Sequence, residues 1–246
     1  GLVCDVLALM IRSHRVRRVL GSIRVALPDL MSLFLPQRTA DVLPRAPLGP
    51  VPQQGTEEFE LLFQTSAHGI GLVGHCELCF DGRTLTYGAY DPVHQRLLRT
   101  AGAGIVFSAP REPYLRWCIG THHRRVISYS LHLPPAQAAQ LRAELERFRQ
   151  TLSPWQPEAL PEDCFAGRLR RLGGVRFWRV QRGPYATYFI PTINCVSLTN
   201  KLLEKTDIGR TVMLGLKTPG AYLDLLEREY LAGNPAVTAR RVYDAV

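Results

Sequence analysis

The chain has 246 residues, of which 46% are hydrophobic, enough for one large domain with a sizeable core or for two small domains. Its 30 lysines and arginines outnumber its 21 acidic residues, and the formal net charge of +9 favours anionic partners such as lipid head groups or acidic cell-wall polymers. The sequence contains no helix-turn-helix, zinc-finger or RNP pattern, so nucleic acid is a disfavoured partner. No run approaches the roughly 20 apolar residues that cross a bilayer, and 6 cysteines are too few for a disulfide scaffold of this length.

The first part of the chain divides into two segments that differ in composition. Residues 1–35 combine basic and apolar positions at helical spacing, which predicts an N-terminal amphipathic helical segment. Such a segment packs against its own domain or lies on an anionic membrane surface, and the sequence leaves both alternatives open. Residues 36–57 are rich in proline and polar residues, which predicts an extended linker. Residues 58–246 are then expected to form the main domain.

The main domain opens with a predicted strand over FELLFQTSA and continues with a β-hairpin. The stretch VGHCELCF alternates between apolar and polar positions, DGR supplies a tight turn at Gly82, and TLTYGAY returns as the second strand until Asp91-Pro92. A long connection is predicted over residues 153–174, which contain several prolines. The remaining predicted elements are a short helix in YLRWCIG, a strand in RRVISYSLHL, a helix in PPAQAAQLRAELERFRQTL, strands near 175–181 and 185–190, a helix from Cys195 to near Asp207, and a last helix from Thr218 to Gly233.

These elements predict an α+β fold with a central antiparallel sheet and flanking helices. The stretch PTINCVSLTN, residues 191–200, places Cys195 where a helix is expected to begin. Unpaired backbone N–H groups and the positive end of the helix dipole stabilise a thiolate at such a position. A thiol nucleophile also needs a base within hydrogen-bond reach and a group that orients the base.

His75 is the histidine best placed to be that base. It follows Gly74 inside the first strand of the predicted hairpin, and a strand holds a side chain more firmly than a loop does. His68 lies seven residues earlier among glycines and is expected to line the same cleft. A lone strand histidine is more often a structural residue, so the case for His75 depends on its combination with Cys195.

The two stretches together resemble a known superfamily. GHCELCFDGRTLTYGAYDP, followed well downstream by NCVSLTNKLLEKTDIG, resembles the circularly permuted papain-like cysteine peptidases, in which the histidine strand precedes the nucleophile helix. The Asn-Cys segment is similar to that of the PPPDE deSUMOylating peptidases, of the lecithin-retinol acyltransferase relatives, and of bacterial envelope domains related to cell-wall peptidases. The resemblance covers roughly residues 60 to 210.

The resemblance implies a role for each matching residue. Cys195 matches the nucleophile and His75 the general base, while the third, orienting position falls on Tyr87 or Asp91 in the returning strand. The backbone N–H of Cys195 is then the expected oxyanion donor. Asn194, which precedes the nucleophile, and His68 are the expected substrate-binding residues.

A zinc site is the alternative use of the same hairpin. His75, Cys76 and Cys79 with His68 offer four ligands of the two types, imidazole and thiolate, that zinc prefers. Because successive side chains of a strand point to opposite faces, Cys76 and Cys79 would not reach one ion unless the strand breaks. We therefore expect neither a metal nor another cofactor.

The resemblance implies a cysteine-dependent hydrolase or acyltransferase, a thiol peptidase in the broad sense, that acts on an amide or ester bond. The bacterial relatives suggest a peptide of peptidoglycan or a lipid-linked acyl group as substrate. The expected location is then the bacterial cell envelope, membrane-associated or extracytoplasmic, with an anionic cell-wall polymer or membrane surface as partner. The alternative is a catalytically silent binding module on the same fold that docks on a membrane or polymer. The sequence does not indicate an oligomeric state.

Overall fold

The computed structural model describes residues 58–65, 74–96, 100–156, 161–208 and 218–243. The predicted N-terminal helical segment 1–35, the predicted linker 36–57 and His68 lie outside the described residues. Within them the chain forms ten strands: β1 (Glu58–Thr65), β2 (His75–Phe80), β3 (Arg83–Gly88), β4 (Ala101–Ala103), β5 (Ile105–Pro110), β6 (Arg125–His132), β7 (Leu152–Pro154), β8 (Arg176–Val180), β9 (Thr187–Phe189) and β10 (Val237–Tyr243). The described helices are α1 (Arg111–His122), α2 (Pro135–Arg149), α3 (Phe165–Arg170), α4 (Cys195–Leu203) and α5 (Pro219–Leu231).

Eight of the strands form one antiparallel sheet. The strand order is β10-β6-β1-β2-β3-β5-β8-β7, and β4 pairs with β9 in a separate two-stranded sheet. The predicted hairpin is present, because β2 and β3 pair antiparallel around a turn at Asp81 and Gly82, both of which have positive φ. The large antiparallel sheet and the several helices confirm the predicted α+β mixture with a central antiparallel sheet.

Helices cover both faces of the sheet. The alternation of β1 sends Phe59, Leu61 and Phe63 to one face, where α2, α4 and α5 pack, and we call this the first face. The opposite, second face is covered by α1 and α3. The sheet is therefore buried on both sides, which explains why its central strands are almost entirely inaccessible to solvent.

The second face combines its apolar core with buried polar side chains, which the described strands lack on the first face. Seven polar side chains of its strands are buried: Glu60, Gln64, Glu77, Thr84, Thr86, Ser128 and Ser130. Arg111 of α1 forms a bidentate pair with Glu60, which also accepts a hydrogen bond from Ser128 Oγ at 2.7 Å. Arg124 donates to Gln64 Oε1 at 2.7 Å. Buried polar groups are tolerated here because they are hydrogen-bonded to one another.

Several elements differ from the sequence-based expectation. Strands β4, β5, β7 and β10 were not predicted, and the predicted connection 153–174 contains the end of β7 and the helix α3. The helix that begins at Cys195 ends at Leu203, earlier than the predicted Asp207. β5 escapes prediction because its run of small and apolar residues does not alternate, as is common for a strand buried on both faces.

Candidate functional site

A fully formed N-terminal cap fixes the start of α4 at Cys195. The side chain of Asn194 accepts a hydrogen bond from the backbone N–H of Ser197 at 3.0 Å, and Ser197 Oγ accepts one from the N–H of Asn194 at 2.9 Å. Asn194 Nδ2 donates to the carbonyl of Ile190 at 2.6 Å. This reciprocal capping box confirms the predicted helix start. It also assigns Asn194, an expected substrate-binding residue, a structural function at a buried position.

The thiol of Cys195 lies beside β2, where the pairing of β2 with β3 ends. The register of the two strands stops at Leu78 and Leu85. Beyond that point, the backbone N–H of Cys76 donates to Cys195 Sγ at 3.5 Å. The sulfur therefore accepts from a strand N–H group one residue from His75 in the chain. The thiol packs with the core of the first face, whereas the His75 ring lies with the second face, and among the described residues no hydrogen bond joins Sγ to that ring.

Burial dominates the acid–base chemistry of this thiol. Burial raises the pKa of Cys195 to about 11, although the backbone N–H groups of Cys76 and Val196 lower it. The negative charge of Glu77 acts in the same direction as burial. The thiol is consequently neutral at pH 7, and the helix start does not by itself produce a thiolate.

His75 begins β2, and its ring lies with the side chains of the second face. Its Nε2 is 3.0 Å from the hydroxyl of Tyr90 and 3.9 Å from Glu77 Oε1. Burial, followed by the positive charge of Arg124, lowers the pKa of His75 to about 3. The imidazole is therefore neutral, with one ring nitrogen protonated and the other able to accept a proton.

Glu77 is the buried acid of this site. The hydroxyl of Tyr114 donates to its Oε1 at 2.6 Å, and Gln64 Nε2 donates to Tyr114 Oη at 2.9 Å. Burial raises the pKa of Glu77 to about 7, against the opposing effect of its hydrogen bonds with Tyr114 and Gln64. This carboxyl changes its charge near neutral pH, 3.9 Å from His75, and its negative charge also raises the pKa of Cys195.

The two predicted orienting residues are engaged elsewhere in the structure. Tyr87 Oη donates to the carbonyl of Tyr185 at 2.9 Å on the first face of the sheet. The carboxylate of Asp91 accepts from His94 Nδ1 at 2.7 Å and forms an ion pair with Arg179. The structure thus places Tyr87 in the core and Asp91 in a separate charged cluster.

Sequence reasoning missed the two groups that contact the His75 ring, Tyr90 and Glu77. A signal for Glu77 was available, because it lies two residues after His75 and period two places both on one face. Tyr90 follows the end of β3, and its return to His75 depends on tertiary packing that no local pattern predicts.

The cysteines of the hairpin point to different faces, as their spacing predicts. Cys76 lies in the core of the first face and Cys79 in that of the second face. Among the residues that the structure describes, no group of three histidine, cysteine or acidic side chains could hold a metal ion.

Residues 168–182 place several arginines on the surface. Five of these arginines are exposed: Arg168, Arg170, Arg171, Arg176 and Arg182. Arg171 forms an ion pair with Glu162 at 2.8 Å.

Across the described ranges, no helix has both the length and the apolar character that crossing a membrane requires. Comparison of the chain with protein-family models, with curated proteins and with solved structures gives no match.

Proposed function

We propose that the protein is a cysteine-dependent hydrolase or acyltransferase with a permuted papain-like arrangement. Cys195 is the nucleophile and His75 is the general base. The observation that supports this most is the position of the thiol, at the first residue of a capped helix and 3.5 Å from a backbone N–H of β2 next to His75. A helix start and a strand N–H are the surroundings that stabilise negative charge on sulfur as it develops.

The neutral state of both groups determines the proposed mechanism. Because the pKa of Cys195 is raised and that of His75 is lowered, the resting pair is thiol and imidazole, not thiolate and imidazolium. His75 then takes the thiol proton as Sγ attacks the carbonyl carbon of an amide or ester. Since Nε2 of His75 meets Tyr90, we assign proton transfer to Nδ1.

The remaining steps return the proton and release the acyl group. The imidazolium gives its proton to the leaving amine or alcohol as the tetrahedral intermediate collapses to a thioester on Cys195. Water or another nucleophile attacks this thioester, and the thiol is regenerated. The backbone N–H of Cys195 is the proposed donor to the oxyanion.

We further propose a substrate in the bacterial cell envelope, either a peptidoglycan peptide or a lipid-linked acyl group. The exposed arginines Arg168, Arg170, Arg176 and Arg182 support an anionic polymer or membrane surface as the partner. Binding to such a surface is expected to weaken as the salt concentration rises, because exposed charges are screened.

The first test is modification of the cysteines by iodoacetamide, followed by mass-spectrometric mapping. Cys164 is a partly exposed thiol and gives an internal reference for intrinsic reactivity. We expect His75→Ala to slow the modification of Cys195 by on the order of 100-fold, the usual contribution of a general base, and to leave Cys164 unchanged. Equal rates at Cys195 in the two proteins would refute the role of His75.

The second test is acyl transfer from an activated ester such as p-nitrophenyl butyrate. An acyl adduct on Cys195 with a burst of nitrophenol is expected in the wild type and not in Cys195→Ala. Cys79→Ser is the matched control, because Cys79 is as buried as Cys195 but does not lie at a helix start. An adduct on another cysteine, or none at all, contradicts the proposal.

One observation favours the alternative, a catalytically silent binding module. The Cys195 residue is only 3% exposed, and its thiol is neutral at pH 7. A silent module predicts that the salt-sensitive binding of an anionic polymer persists in Cys195→Ala and that no acyl adduct forms with any ester. The two tests above therefore separate the alternatives.

A further inference from the structure

We propose that Tyr90 is the residue that positions His75, the role that the sequence resemblance assigns to Tyr87 or Asp91. The proposal rests on the proposed function of His75 as a general base. A residue with this role must contact the ring nitrogen that does not take the proton, and it must itself be held in place.

The contact between the two side chains is direct. Tyr90 Oη lies 3.0 Å from Nε2 of His75, which is a normal hydrogen-bond distance. A thiol proton must be accepted by a ring nitrogen with a free lone pair, so proton acceptance at Nδ1 requires that Nε2 carries the hydrogen. In the tautomer that we propose, Nε2–H donates to the Tyr90 hydroxyl oxygen, and this bond fixes the orientation of the ring.

Aromatic packing on the second face holds the Tyr90 ring. The ring stacks on Phe165, with centroids 5.1 Å apart and planes 17° from parallel, and it contacts Phe107 at 5.2 Å. Phe165 belongs to α3 and Phe107 to β5, so two separate elements clamp the ring. Side chains locked by such packing give precise positions to the groups they contact.

The absence of a side chain at Gly88 leaves the space that the Tyr90 ring occupies. A Cβ atom added at Gly88 would lie 2.7 Å from Tyr90 Cζ and 3.0 Å from its hydroxyl oxygen. The ring therefore folds back directly over Gly88, at the end of β3. Gly88 is needed for space, and a methyl group there would push the hydroxyl away from His75.

The structure supplies matched controls for this role. Tyr87 is a buried tyrosine near the end of β3, and its hydroxyl donates to the carbonyl of Tyr185 on the first face. Asp91 follows Tyr90 directly in the chain and pairs with Arg179. Tyr87→Phe and Asp91→Asn each remove one group from the neighbourhood and leave the bond between Tyr90 and His75 in place.

The test combines nitrogen NMR of the His75 ring with the alkylation rate of Cys195 in the full chain. In the wild type we expect one tautomer with the hydrogen on Nε2. Tyr90→Phe keeps the aromatic packing, and we expect it to mix the tautomers and to slow modification of Cys195 by about tenfold, a part of the effect of removing the base itself. Gly88→Ala is expected to act in the same direction, and Tyr87→Phe and Asp91→Asn to leave the ring signals unchanged.

The outcomes distinguish this proposal from the proposed function. Unchanged His75 signals in Tyr90→Phe, or changed signals in Tyr87→Phe or Asp91→Asn, overturn the positioning role whether or not the protein is an enzyme. A change of tautomer in Tyr90→Phe while Cys195 forms no acyl adduct supports the contact and overturns only the hydrolase. If Gly88→Ala does not fold, Tyr90→Phe alone decides.

Discussion

Replacing Glu77 with glutamine should remove a strong pH dependence from the stability of the fold. The pKa of Glu77 is raised from 4.5 to about 7, mainly by burial. A carboxyl with a raised pKa binds its proton more tightly in the folded state. Its stabilising contribution is therefore complete below pH 4.5 and is lost as the pH rises through 7. At about 1.36 kcal/mol per pH unit, the change from 4.5 to about 7 corresponds to about 3 kcal/mol.

The measurement is a series of urea titrations of wild type and Glu77→Gln from pH 4.5 to above pH 7. Glutamine keeps the shape but cannot ionise, so the variant should gain about 3 kcal/mol relative to wild type across this range. His75 has the opposite effect, since its lowered pKa reduces stability as the pH falls below 6.5, but it is present in both proteins. Glu146→Gln, at an exposed site, should give a curve parallel to wild type. A parallel curve for Glu77→Gln would refute the argument from burial.

Two further predictions concern other parts of the fold. Arg111→Ala should destabilise the protein by about 3–5 kcal/mol in denaturant unfolding, because the substitution leaves the buried carboxylate of Glu60 without its partner. The double variant with Glu60→Gln should recover part of this loss of stability. A loss below about 1 kcal/mol in Arg111→Ala would show that the ion pair is dispensable. Gly104→Ala should destabilise the protein by about 1–3 kcal/mol and lower the midpoint of thermal unfolding, because the added Cβ would lie 2.0 Å from the carbonyl oxygen of Tyr185. An unchanged midpoint would show that the backbone at Tyr185 shifts at little cost.

The part of the fold that the sequence predicted is the part with local signals. The hairpin of β2 and β3 follows from alternation and from the turn at Asp81 and Gly82, which both have positive φ. The helix start at Cys195 follows from the Asn-Cys pair, because asparagine caps helices well. These signals depend only on residues close together in the chain.

The features that the sequence did not predict depend on tertiary structure. β10 contains two adjacent arginines and becomes a strand by pairing with β6, about a hundred residues earlier in the chain. The raised pKa of Cys195 results from burial under packed elements, whereas its position in the sequence alone favours a thiolate. The contact between Tyr90 and His75 likewise requires the glycine and aromatic packing that only the assembled fold provides.

The polarity difference between the two faces of the sheet also protects the chain against misalignment while it folds. If β1 slipped by one residue against β2 and β6, Glu60 and Gln64 would enter the hydrocarbon interior beneath α4 and α5. Phe59, Leu61 and Phe63 would meet the charged layer beneath α1 at the same time. A strand that is apolar on both sides has no such penalty and can settle in a wrong alignment. Here every slip by an odd number of residues is unfavourable on both sides of the sheet at once, so the buried acids and amides reduce the number of competing compact states.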